Sequence, residues 1–209
     1  MNRFNLKKLD GGERFILSKD LGLDNIRVEL TWQNGDLDAQ AWLLNQDGVI
    51  VNDEGFVFYN SVNRTEKWDK SKFGNKKNYL EQTRPMSADG AVLGPKDELR
   101  GGIEIINICL SKIASEVQEV AISATVYIPN DDNVETFGEV ENAQITVIDE
   151  SSDKPKPLCF YELSRDYKTE DAVVVARFIN NDKGEWEVEA LGNGYNGGLQ
   201  TLVDMYTEE

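Results

Sequence analysis

Apolar and polar side chains alternate along most of this chain, the period of two that puts successive residues on opposite faces of an extended strand. Arg27-Val28-Glu29-Leu30-Thr31-Trp32 has one polar and one apolar face. Asn34-Gly35 follows, a turn pair that favours positive φ, and then Asp38-Ala39-Gln40-Ala41-Trp42-Leu43-Leu44. A turn containing Gly48 leads into Phe56-Val57-Phe58-Tyr59. Residues 103–110 and 120–128 are rich in β-branched side chains and read as buried strands. Further strands are expected at 144–148, 172–179 and 186–190, with Lys154-Pro155-Lys156-Pro157 in a loop joining two of them. About eight or nine short strands separated by turns is the spacing of a sandwich or barrel.

Helical spacing is confined to two places. Residues 111–117 could form a short turn or helix between strands. Residues 196–206 have a glycine-rich entry and then Leu199, Leu202, Val203 and Tyr206 on one face, so a helix is expected to cover one end of the sheets. Residues 63–85 break the strand pattern. They are poor in aliphatic side chains and carry Lys67, Lys70, Lys72, Lys76, Lys77 and Arg84, which reads as an exposed insertion loop building no core, with Trp68 at its surface. The same lysines could engage a partner, or fold back on an acidic region as an internal counter-ion. No linker divides the 209 residues, and one domain spanning 1–209 is expected.

Composition narrows the chemistry. Apolar residues at 40% and charged residues at 29% allow a buried core. A net charge of −16 argues against a nucleic-acid partner, which is held by displacing counterions with Lys and Arg. It suits a cation, a basic protein partner, or solubility alone. Histidine is absent, which removes serine-type triads, histidine-bound zinc and histidine bases. Cys109 and Cys159 stand among apolar neighbours and are expected as free buried thiols. With no apolar leader after Met1 and no run of eighteen apolar residues, a cytoplasmic protein without an integral membrane segment is expected.

Three stretches together resemble the TerD family of tellurium-resistance and stress-response proteins. The first is Gly35-Asp36-Leu37-Asp38-Ala39 through Leu44, with Phe56-Val57-Phe58-Tyr59-Asn60 after it. The second is Thr136-Phe137-Gly138-Glu139-Val140-Glu141-Asn142-Ala143. The third runs from Tyr161-Glu162-Leu163 through Gly184-Glu185-Trp186 to Gly192-Asn193-Gly194-Tyr195-Asn196-Gly197-Gly198-Leu199. Leu6-Lys7-Lys8-Leu9-Asp10-Gly11-Gly12 is similar to the family's opening strand. The resemblance implies an all-β fold, a sandwich of two antiparallel sheets with a short C-terminal helix.

It also implies Ca²⁺ held by acidic loops at one end of the sandwich. Calcium takes six to eight oxygen ligands, largely carboxylate and carbonyl. Asp36 and Asp38 lie two residues apart on extended chain and project to one side, while Asn60 offers a neutral oxygen. A pair of turn-capping aspartates is the plainer reading of the same spacing. The resemblance adds Asp97 and Glu104 from Lys96-Asp97-Glu98-Leu99-Arg100-Gly101-Gly102-Ile103-Glu104. That stretch departs from the family: its Gly-Asp-Asp centre is missing and Lys96 and Arg100 bring positive charge. Thinner coordination is expected.

Other signals carry less. The turn at 130–135 is followed by Thr136 and Asn142 where an EF-hand needs its glycine and final glutamate, and 192–197 lacks the downstream Lys-Ser/Thr of a phosphate loop. Glu139 and Glu141 could be paired as in a glycosidase, yet nothing there separates an acid from a base. The leading expectation is a non-enzymatic calcium-binding module that acts on protein partners in a stress response. A metal-free acidic adaptor is the alternative, and a metal-dependent hydrolase stands third.

Overall fold

The computed structural model describes residues 14–17, 24–96, 101–128, 135–181 and 184–207. Its strands are β1 (Arg14–Leu17), β2 (Asn25–Trp32), β3 (Leu37–Leu44), β4 (Phe56–Val57), β5 (Val92–Leu93), β6 (Gly102–Cys109), β7 (Glu119–Val126), β8 (Gln144–Asp149), β9 (Lys156–Glu162), β10 (Ala172–Asn180) and β11 (Trp186–Tyr195). They form a six-stranded sheet in the order β1-β11-β10-β7-β3-β4 and a five-stranded sheet in the order β5-β6-β2-β8-β9. All the ladders are antiparallel.

The alternation read from the sequence is what joins the sheets. On β2, Ile26, Val28, Leu30 and Trp32 are buried while Asn25, Arg27, Glu29 and Thr31 point outward. They meet Leu37, Ala39, Ala41 and Leu43 of β3 and the inward residues of β6, β7, β8, β10 and β11 in one apolar cluster. On β10 the phase shifts at a bulge between Val174 and Ala176, so both Val175 and Ala176 face that cluster. Trp32, Trp42 and Trp186 are all buried, as their strand positions require.

A second, smaller core lies on the outer face of the six-stranded sheet. Trp42, Leu44, Ala121, Ala172 and Val174 are covered there by Leu202 and Tyr206 of the C-terminal helix Gly198–Tyr206. Leu199 and Val203 pack against the same cluster. Asp171 docks the helix start, its two carboxylate oxygens accepting hydrogen bonds from the Gly197 and Gly198 N–H groups at 3.1 and 2.9 Å. The Trp42 ring stacks on Phe56 at 4.1 Å and meets Tyr206 at 5.0 Å.

Several expectations change. β9 is a strand that Pro155 and Pro157 concealed; as an edge strand it tolerates a residue without an N–H. Residues 63–85 are not an open loop. They hold two short helices, α1 (Lys70–Phe73) and α2 (Lys76–Gln82), started by Asp69 and Asn75 side chains that accept from the Ser71 and Asn78 N–H groups. Two more helices follow in the chain, α3 (Leu163–Asp166) and α4 (Gly198–Tyr206). Phe73 and Tyr79 are buried and pack edge to face at 5.1 Å, so the segment builds a small aromatic core of its own. Trp68, 37% exposed, lies against both rings. Cys109 is free but only half buried, on the outer face of its sheet; the Cys159 side chain, the stretch 6–12 and most of the turn at 130–135 lie outside the described residues. No helix among the described residues is long and apolar enough to cross a membrane.

Trp42 joins β3 to α4, and replacing it should expose both. Trp42→Ala is expected to cost about 3–5 kcal/mol of unfolding free energy by urea titration, the range for emptying a buried aromatic site. It should also speed proteolytic cleavage within α4. A stability within about 1 kcal/mol of the parent would show that the outer core contributes little.

Candidate metal centre

Strand direction brings several strand ends together at one end of the sandwich. There β2 passes into β3 through residues 33–36, β6 begins, β7 finishes, and the segment 135–143 enters β8. Gly35 adopts φ 75°, as the Asn-Gly pair predicts. Gln33 N–H donates to Glu141 O, Asn34 Nδ2 donates to Glu139 O, and Tyr127 N–H donates to Asp36 O. Gly101 passes so close that a Cβ there would stand 2.4 Å from Gln33 O, at φ 95°; only glycine fits.

Asp36 sits half-buried at the entry to β3. Asp38 is 5% exposed and lies on the outer face, opposite Thr125 of β7. Glu104 is 1% exposed because it occupies a core-facing position on β6, in phase with Ile106 and Ile108. It crosses the gap between the sheets, and its Oε2 accepts the Ala39 N–H at 2.7 Å, which sets it one residue from Asp38 along β3. Two nearly buried carboxylates therefore stand at this end of the sandwich, Glu104 between the sheets and Asp38 on the outer face of β3.

The other expected ligands are placed differently. Asp97 lies outside the described residues. Continuing the β3–β4 register would set Asn60 opposite Asp38, but the ladder stops at Val57. The chain then turns, with Ser61 N–H bonded to Phe58 O, and Asn60 is exposed on that turn. Among the described residues no group of three or more acidic, histidine or cysteine side chains is arranged to hold a metal ion.

A polar chain runs from Asp38 into the outer core. Gln40 Nε2 donates to Asp38 O at 3.1 Å and to Thr125 Oγ1 at 2.8 Å. Ser123 donates from its hydroxyl to Gln40 Oε1 at 2.7 Å and accepts from Trp42 Nε1 at 2.9 Å. Gln40 and Ser123 have no exposed surface and Thr125 only 1%, so these bonds replace water rather than compete with it. Sequence reading passed over this chain. Its signal was the row Asp38, Gln40, Trp42, polar residues on a strand whose neighbours are wholly apolar.

Residues 63–85 do not supply a counter-ion from their arginines. All five donors of Arg64 are used by Thr83 Oγ1 and by the carbonyls of Tyr59, Ser61, Leu80 and Thr83. Arg84 bonds the carbonyls of Leu93, Gly94 and Ile105 and the Asn107 amide oxygen. Burial among neutral oxygens moves both guanidinium pKa values downward.

Glu139, weighed above with Glu141 as a pair of acids and discounted, has a capping role. Its Oε2 accepts from the Glu135 and Thr136 N–H groups at 2.7 and 3.0 Å, closing the turn Phe137–Glu139. Those donors favour the charged form and hold its carboxyl below the usual glutamate range. A depressed acid stabilises the fold above its unfolded pKa of about 4.3 and ceases to do so as pH falls through the lower folded value. Glu139→Gln should therefore flatten the acid limb of a plot of melting temperature against pH, with little pH dependence added near neutrality. An unchanged acid limb would show that the cap does not form in solution.

Comparison with known proteins follows this geometry. A family model described as the TerD domain matches residues 6–206. The chain is 29% identical over 210 residues to the tellurium resistance protein TerD of Serratia marcescens, covering 95% of each. It is 24% identical over 208 residues to general stress protein 16U of Bacillus subtilis (strain 168), covering 93% of this chain and 94% of that one. Among solved structures it is similar in fold to a homologue of telluride resistance protein (TerD), SCO6318 from Streptomyces coelicolor A3(2). The TM-score is 0.65 at 18% identity, over 89% of this chain and 99% of that one.

Proposed function

The chain belongs to the TerD domain family, and we propose on that footing that it is a non-enzymatic stress-response module that binds Ca²⁺ and acts through protein partners. The proposed ligands are Asp36 and Asp38 at the start of β3, Glu104 from β6, Asp97 from the preceding loop, and Asn60 from the exposed turn after β4. Tellurite or other chemical stress is the setting, as the names of its relatives indicate for those proteins.

The observation that carries the reading is Glu104. A carboxylate at a core-facing strand position is costly to bury, and Glu104 stands at the end of the sandwich where Asp36 and Asp38 enter β3. Like charges gathered at one end of a fold favour a cation there. The donor set suits a hard ion that takes oxygen ligands. Bound there, calcium would supply charge neutralisation and tie the two sheets together at this end. Ala39 N–H orients the Glu104 carboxylate, and Gly101 lets its own backbone pass against Gln33 of the β2–β3 turn.

A second reading is favoured by the same bond. One Glu104 oxygen is already committed to Ala39 N–H, and the shortened loop brings Lys96 and Arg100, so the end could be a metal-free acidic surface of an adaptor.

Calcium titration by calorimetry, with thermal melts in calcium and in chelator, separates the two. Calcium in hundredfold excess over Kd should add about 2.7 kcal/mol to the stability of the native state. Asp36→Asn with Asp38→Asn should abolish that gain and leave the chelated melt little changed. Absence of any calcium effect in the parent protein would leave the adaptor reading. Full retention of the effect in the double variant would place the ion elsewhere.

A further inference from the structure

We propose that the segment 63–85 is a docking surface for a second copy of this chain, engaging the acidic end of that copy in a head-to-tail contact. The inference stands apart from the calcium reading, because it uses none of the proposed ligands.

Charge is segregated along the sequence. Seven basic and three acidic side chains leave +4 on residues 63–85, so the rest of the chain carries −20 of the total −16. Folding sharpens the division. Arg64 and Arg84 turn inward to carbonyl oxygens, and the charge left at the surface is on lysines. Lys72 pairs with Glu66 and Lys77 with Glu81, whereas Lys67 and Lys70 flank Trp68 at exposed positions. Lys76 stands 4.7 Å from the Trp68 ring centroid. A cation held over an aromatic face keeps both groups rigid, and rigid aromatic surface is cheap to bury in a contact.

Apolar exposure is segregated too. Val62 is 94% exposed and Leu80 40%, and the Arg64 guanidinium, bonded to Ser61 O and Leu80 O, holds those two stretches of backbone together. With Trp68 they are exposed apolar side chains in and beside this lysine-rich segment. A complementary patch exists on the same molecule. Tyr127 and Ile128 are 48% and 44% exposed where β7 ends. Around the same turn at 33–36 stand Glu135, Glu139 and Glu141, all exposed. One patch is therefore apolar with a basic rim and the other apolar with an acidic rim.

The patches lie on different sides of the sandwich. Residues 63–85 lie alongside the edges formed by β4 and β5, through the Arg64 bond to Tyr59 O just past β4 and the Arg84 bonds to Leu93 and Ile105, while the acidic patch lies at the strand ends. A contact between unlike patches is heterologous, so it continues into rings or filaments. An isologous contact of two acidic faces would be opposed by the net charge.

Sedimentation velocity as a function of concentration and salt tests this. At about 20 mM NaCl the weight-average mass should rise with concentration, and at about 500 mM, where screening shortens to a few ångströms, it should return to that of one chain. Lys67→Glu with Lys70→Glu should weaken association at least tenfold, as should Glu135→Lys with Glu141→Lys in a separate protein. Mixing the two variants should restore a complex, since each then carries the partner charge of the other; a folding defect cannot produce that rescue. The Lys67→Glu, Lys70→Glu variant should leave the calcium response unaltered. The proposal is overturned if the parent stays a single chain up to roughly 100 μM at low salt, or if the mixed variants do not associate. It is also overturned if the segment captures only an added polyanion such as heparin.

Discussion

β3 has to be covered on both faces, and the rest of the fold is arranged around that requirement. All eight of its side chains are buried. Leu37, Ala39, Ala41 and Leu43 face the five-stranded sheet; Trp42 and Leu44 face α4. A strand in that position cannot show the simple alternation of a surface strand, because neither face meets water. It is also the place where polar groups are most constrained. Gln40 remains on the outer face because Thr125 and Ser123 bond its amide in fixed directions, with the Trp42 indole holding Ser123 in turn. Such a chain is costly when incomplete and specifying when complete. It links the acidic end of the sandwich to the docking surface of the last helix through atoms that are all buried.

The segment 63–85 solves a different constraint. The edges at β4 and β5 are only two residues long, so much of the neighbouring backbone has no strand partner there. Guanidinium groups take that role. Arg64 gathers carbonyls from both ends of the segment, and Arg84 reaches the carbonyl of Ile105 on β6 beyond the end of β5. Planar forks with fixed donor directions suit carbonyl clusters in a way that lysine cannot, which explains the split of labour between inward arginines and outward lysines. Occupied edges also blunt the tendency of open strands to pair with other chains.

Fold class and most strands were legible from alternation alone, because a period of two with turn residues between runs has few physical solutions. Asn34-Gly35 announced its turn, and Leu199, Leu202, Val203 and Tyr206 announced α4 through their shared face. Asp36 and Asp38 were legible as a pair, and the inward phase of Glu104 was written in its spacing from Ile106 and Ile108. Local pattern misled where tertiary context overrode it. Pro157 hid β9 since a missing N–H is harmless on an edge, and the lysines of 63–85 hid Phe73 and Tyr79, which needed each other and Arg64 to be worth burying.

What the sequence determined by itself was the set of faces: which residues turn inward, where chain direction reverses, and how the charge is divided between one short segment and the remainder. Those follow from backbone geometry and solvation, which act locally. Only the tertiary structure decided which faces meet. That Glu104 on one sheet finds Ala39 N–H on the other depends on how two sheets stack, and no spacing along the chain encodes a distance between residues 39 and 104. That Asn60 leaves its ladder, though the register points it toward Asp38, depends on a turn closed by the Ser61 hydroxyl. Hydrogen bonds between segments far apart in sequence are fixed by packing, so the site could be nominated from residues but assembled only by the fold.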